Sequence, residues 1–149
     1  MVRILALALL LLSACAYETP PYVSSTGEGV DALRAAAEDA WAAVGVEAPT
    51  DYELLFLDQE TLADACHAEM PEGVTLGGCS FPGVVLLPLG QDPELLVMKL
   101  THELGHFMHG SDNAHLDCPE TSRGPDVMCL TGAEPGTLPT ARDVAFIGR

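Results

Sequence analysis

Residues 92–110 read Asp-Pro-Glu-Leu-Leu-Val-Met-Lys-Leu-Thr-His-Glu-Leu-Gly-His-Phe-Met-His-Gly. Asp92 can cap a helix, Pro93 suits its first turn, and Gly110 can end it in a left-handed conformation. The stretch therefore predicts a helix over 92–109. Within it, His102 and His106 are four apart, so they share one face at successive turns. Two imidazoles brought to one point suit a zinc ion, and Glu103 beside them can accept a proton from water at the metal.

Working outward toward the N-terminus, residues 30–44 predict a second strong helix. Val30, Leu33, Ala37, Trp41 and Val44 recur at spacings of three and four, and Gly45 is placed to end it. A short strand is expected at 52–57 and a short helix at 59–67. Further strands are expected at 74–76 and 84–87, with Gly77-Gly78 and Pro82-Gly83 as breaks. Beyond Gly110, residues 111–138 read as loop, and 139–147 as a closing helix with Thr137 or Thr140 as its cap. The order of elements predicts a compact α+β domain in which helices pack on a small mixed sheet.

The chain has 149 residues, enough for one domain. Its 22 acidic residues against 6 basic ones give a formal charge of −16. Such a surface repels phosphate backbones, which excludes nucleic acid as a partner, and it offers no basic patch for anionic lipid. The hydrophobic content is unevenly spread. Residues 4–12 are an unbroken apolar run behind Arg3, too short to span a bilayer and typical of an export signal. The run ends on Leu12-Ser13-Ala14-Cys15. This resembles the lipobox of bacterial lipoproteins. The resemblance implies removal of residues 1–14, lipid on Cys15, and an exported protein anchored to a bacterial membrane in the cell envelope. Residues 15–29, rich in Pro, Ser, Thr and Gly, read as a tether. Residues 30–149 then form the domain, and the 135 residues left after processing are enough for one modest core.

Besides Cys15, the cysteines are Cys66, Cys79, Cys118 and Cys129. An even number in an exported chain suggests two disulfides, for which three pairings exist. The local pairing, Cys66–Cys79 with Cys118–Cys129, closes two short loops and is the expected one. A four-cysteine zinc site is the competitor, but the paired short spacings of zinc ribbons are absent. His67, next to Cys66, has no partner at ligand spacing and reads as a surface or helix-end residue. No loop has the regular acidic spacing of a calcium site.

Downstream of the His-Glu-x-x-His helix come Gly110, a polar loop containing His115, and Pro125-Asp126-Val127-Met128-Cys129. Together with the closing helix these resemble the metzincin zinc metalloproteases, most closely the small matrixin-like ones, over residues 92–149. In that family a glycine breaks the active-site helix, the chain bends back to deliver a third zinc ligand, and a methionine turn lies beneath the metal. The resemblance implies that Met128 supplies the Met-turn and that the sheet's edge strand, here expected at 84–87, pairs with extended substrate. The family spacing would put glycine at 109 and the third ligand at 112. This chain has His109 and Asp112 there instead, with Gly110 and His115 fitting a longer loop. His115 is the expected third ligand and Asp112 the alternative. His109, on the same helix face, lies too far along the axis to close a tetrahedron and is expected to line the pocket or support the ligands.

The activity implied is zinc-dependent endopeptidase action by a monomer on peptide or protein substrates, with Glu103 as general base. Two other readings remain. A gluzincin-type metallopeptidase would take a glutamate as third ligand from a later helix, but Glu120 and Glu134 lie in Pro/Gly-rich segments. A non-catalytic surface lipoprotein could keep zinc as a structural element, but such a site has no need of Glu103.

Overall fold

The computed structural model describes residues 28–69, 71–111, 114–118, 126–129 and 135–148. The expected signal at 1–14, Cys15, most of the expected tether, Asp112, Glu120, Pro125 and Glu134 lie outside the described residues. The element order is α1 (Glu28–Ala42), β1 (Glu53–Leu57), α2 (Gln59–Ala65), β2 (Cys79–Phe81), β3 (Val84–Pro88), α3 (Pro93–His109) and α4 (Ala141–Ile147). Among the described residues this is a small α+β fold with four helices and a three-stranded mixed sheet. Among the described residues, no helix is long and apolar enough to cross a membrane.

Helix α1 begins two residues before the expected boundary, taking Glu28 and Gly29 from the tether, and it ends at Ala42. Its apolar stripe of Val30, Leu33, Ala37 and Trp41 is buried, as the three-four spacing requires. The Trp41 indole donates to the Thr101 carbonyl at 2.8 Å, which fixes α1 against the histidine-bearing helix. After Ala42 the chain turns through Gly45, whose φ of 79° is open to glycine at no steric cost.

The sheet order is β1-β3-β2, with β1 parallel to β3 and β2 antiparallel to it. Two expectations are corrected here. Residues 84–87 belong to the central strand, not the edge. Val85, Leu86, Leu87 and Pro88 are all buried, and an unbroken apolar run is the mark of a strand covered on both faces. Residues 74–76 form no strand. The Leu76 N–H donates to the Gln59 amide oxygen at 3.0 Å, and the Gln59 amide nitrogen donates to the Leu76 carbonyl at 3.2 Å. A side-chain amide on α2 thus takes the bonds that a neighbouring strand would have taken. The two edge strands are β1 and Cys79–Phe81, the latter joined to β3 by the two-residue turn Pro82-Gly83, with Phe81 opposite Val84. Helix α2 is shorter than expected and stops at Ala65, before the left-handed His67 (φ 53°), which is exposed.

Helix α3 is capped as its sequence demands. Asp92 accepts from the Glu94 N–H at 2.9 Å, and Gly110 ends the helix at φ 77°. Leu96, Leu100 and Leu104 enter the main core with Trp41, Leu54, Val85 and Leu87. Helix α4 is capped by Thr140, not Thr137, in a reciprocal capping box with Asp143. Both expected disulfides form, Cys66–Cys79 and Cys118–Cys129.

Candidate metal centre

Three histidine rings meet where α3 ends and the chain turns back. His102 and His106 come from successive turns of α3, and His115 comes from the returning segment. The ring centroids lie 4.6 Å apart for His102–His106, 4.6 Å for His106–His115 and 5.2 Å for His102–His115. The His106 Nε2 is 2.9 Å from the His102 Nε2 and 3.2 Å from the His115 Nε2. A tetrahedral ion with bonds of about 2.05 Å would impose separations of about 3.3 Å, close to these.

The far side of two of the rings explains what those Nε2 atoms carry. The His102 Nδ1 donates to the Val127 carbonyl at 2.6 Å, and the His106 Nδ1 donates to the Ser111 carbonyl at 3.0 Å. A carbonyl only accepts, so in each neutral ring the single proton sits on Nδ1 and the lone pair on Nε2. The 2.9 Å contact between His102 and His106 therefore sets two lone pairs against each other with no proton between them. A second proton on either ring is opposed by burial. Burial pushes His102 down to about 4, against the pull of the Val127 carbonyl, and burial with repulsion from His102 and His115 pushes His106 down to about 3. Two lone pairs held this close call for a cation, and His102, His106 and His115 form a group able to hold a metal ion. Asp112, the alternative ligand, lies outside the described residues.

The segment bearing the third histidine is anchored just beyond it. The Leu116 N–H donates to the Met128 carbonyl at 2.9 Å, Leu116 bridges Cys129, and Cys118 is bonded to Cys129. Beneath α3, Met128 is wholly buried against Gly105. A β-carbon on Gly105 would fall 2.2 Å from the Met128 Sδ and 3.1 Å from Trp41. Glycine between the two helix histidines is therefore what admits both side chains under the centre. The His-Glu-x-x-His pattern leaves position 105 unspecified, and nothing local to Gly105 announces the contact.

Asp143 is a second residue of the site that the motif does not contain. Its buried carboxylate accepts from the Val127 N–H at 3.2 Å, the Met128 N–H at 2.9 Å and the Thr140 N–H at 2.7 Å. The Met128 N–H bonded to Asp143 and the Val127 carbonyl bonded to His102 belong to one peptide unit, so the α4 carboxylate orients a ligand through that single unit. The Thr-x-x-Asp spacing at 140–143 was the available signal, but it marks a cap and says nothing of burial. Asp126 completes the corner. It accepts from the Thr140 hydroxyl at 2.6 Å and pairs with Arg142 at 2.6 Å.

Glu103 is 4% exposed. Its Oε1 comes so near Gly78 that a β-carbon there would approach it to 3.0 Å, and the Leu86 carbonyl to 2.8 Å. The segment entering β2 therefore passes directly beside the carboxylate. His109 does not line the site as expected. Its ring stacks on Phe146 of α4, with centroids 4.6 Å apart and planes 13° apart. One more turn of helix has carried it past the metal group and onto the closing helix.

No family model matches the chain, and no curated protein or solved structure matches it significantly.

Proposed function

We propose that this chain is a metzincin-type zinc endopeptidase. The observation that carries the reading is the convergence of three Nε2 atoms, two with their Nδ1 protons committed to carbonyls, one residue from a buried glutamate. All-nitrogen donors at tetrahedral spacing suit zinc, and three protein ligands leave a fourth position for the chemistry. His102, His106 and His115 would hold the zinc ion, which when bound would supply Lewis acidity toward carbonyl and water oxygens.

The chain's own residues do the rest. Glu103 takes the proton of the attacking water and passes it to the leaving amine, so its carboxylate shuttles one proton per cycle. Val127 and Ser111 hold the ligand rings in the tautomer that faces the centre. Edge strand β2, which among the described residues pairs only with β3, offers its other side to an extended peptide, which would add as a further strand. We further propose that the protein acts in the cell envelope, lipid-anchored through Cys15, because residues 1–15 carry that signal.

The test is metal content and hydrolysis of quenched peptides by purified protein. One zinc per chain is expected, lost in the His102→Ala/His106→Ala double variant, with activity abolished by chelator and restored by zinc. Glu103→Ala should retain zinc and lose about 10²–10⁴-fold in turnover. Zinc binding with no hydrolysis of any peptide by the wild type would favour a non-catalytic zinc lipoprotein.

A further inference from the structure

Beside the metal group lies a cavity of about 310 Å³ that the proposed reaction does not use. Phe81 and Pro82 at the end of β2 form one wall, Phe107 of α3 another, and Ser80, Ser111 and the ligand His106 complete it. Phe107 is held in place because its ring packs on Tyr52, 6.3 Å away between centroids. The lining is therefore largely aromatic and apolar, and one part of its wall is a metal ligand.

Resting on the endopeptidase reading, we infer that this cavity is a specificity pocket taking one large apolar side chain of the substrate, on the acyl side of the bond cut. Three observations lead there. The volume is at the lower end of ligand sites, room for a single Leu, Met, Phe or Tyr side chain and not for a folded partner. Ser80 and Phe81 of β2 line the cavity, and among the described residues β2 pairs only with β3, so a peptide added along its other side places alternate side chains toward or away from the cavity. Position along the strand gives the side. Glu103 lies by Gly78 at the start of β2, and the cavity lies by Phe81 at its end. Antiparallel pairing is the more stable mode. In that direction the residue entering the cavity is N-terminal to the bond beside Glu103. With His106 in the wall, that residue is close in sequence to the bond.

The experiment is cleavage-site profiling of a mixed peptide library by the zinc-loaded full domain, read by mass spectrometry. Leu, Met, Phe or Tyr should be enriched at one fixed position on the acyl side, favoured over Ser or Asp by about tenfold to a hundredfold in kcat/KM. Phe81→Lys should erase that preference and admit Asp or Glu at the same position, with metal content as the check on folding. Phe81→Ala should broaden it. The wild-type profile decides the matter even if a variant fails to fold. Cleavage without an apolar preference at that position, or with the preference on the amine side, overturns the pocket and leaves the endopeptidase reading standing. An unchanged profile in folded Phe81→Lys also overturns the pocket. Cleavage of nothing in the library overturns both.

Discussion

Val85 and Leu87 in β3 and Val127 and Met128 in the turn below α3 are all fully buried, yet their backbones are satisfied by different means. β3 has a strand on each side, so its amides and carbonyls enter regular ladders. The 126–129 turn has one bridge to Leu116, a disulfide, and a single carboxylate from α4 that takes two successive N–H groups. Buried backbone must be paired in either case. A ladder distributes that requirement over many residues. The turn concentrates it on Asp143 and on Cys118–Cys129, so single substitutions there should reach the metal centre, whereas the same loss of stability in the sheet-and-helix core should not.

The largest expected effect is in the core. Leu54→Ala opens a cavity at a fully buried position of the sheet-and-helix core, and it should cost about 2–5 kcal/mol. Denaturant unfolding measures the loss. Metal affinity of the remaining folded molecules should change little, and a parallel collapse of affinity would erase the distinction between the two regions.

Next is the Cys118→Ser/Cys129→Ser pair. Opening a loop this short should cost on the order of 3 kcal/mol. Here metal affinity should fall with stability, because His115 precedes the staple by three residues. Cys66→Ser/Cys79→Ser is the matched control on the sheet side and should spare affinity. Equal effects of the two pairs would break the comparison.

Asp143→Asn removes one of the acceptors shared by three N–H groups. A cost of about 1–3 kcal/mol in stability is expected, with about a 10–100-fold loss of zinc affinity through the misplaced Val127 carbonyl. Competition with a chromogenic chelator measures the second figure.

The smallest effect in the loaded protein, and a clear one in its metal-free form, is acid sensitivity. The unfolded histidines titrate near about 6.5, whereas burial holds His102 at about 4 and His106 at about 3 in the fold. Between those values the unfolded chain binds more protons. The stability of the metal-free protein should therefore be whole above about pH 6.5 and decline as pH falls toward 3 to 4. Melting curves across that range check it, and the His102→Ala/His106→Ala variant should show a shallower decline.

Much of this was local and therefore legible. Asp92 and Gly110 bound α3, the stripe on α1 faces the core, His102 and His106 share a face, and each follows from spacing along one element. The readings that needed correction were those in which a distant group intervened. Gln59 replaced a strand at Leu76. The apolar run at 84–87 is a strand but not an edge, because β1, from well upstream, pairs along the side that the β2 hairpin leaves open. His109 kept the face of His102 and still landed on Phe146, because α4 packs there.

By itself the sequence determined which side chains could make a metal group and which short loops the cysteines could close, since both depend on periodicity and chain length. Only the tertiary structure decided that His115 meets the two helix histidines, that Gly105 must be bare to admit Met128, and that Asp143 steadies His102 from another helix. Those facts depend on where separate elements come to rest, and packing, not local spacing, sets that.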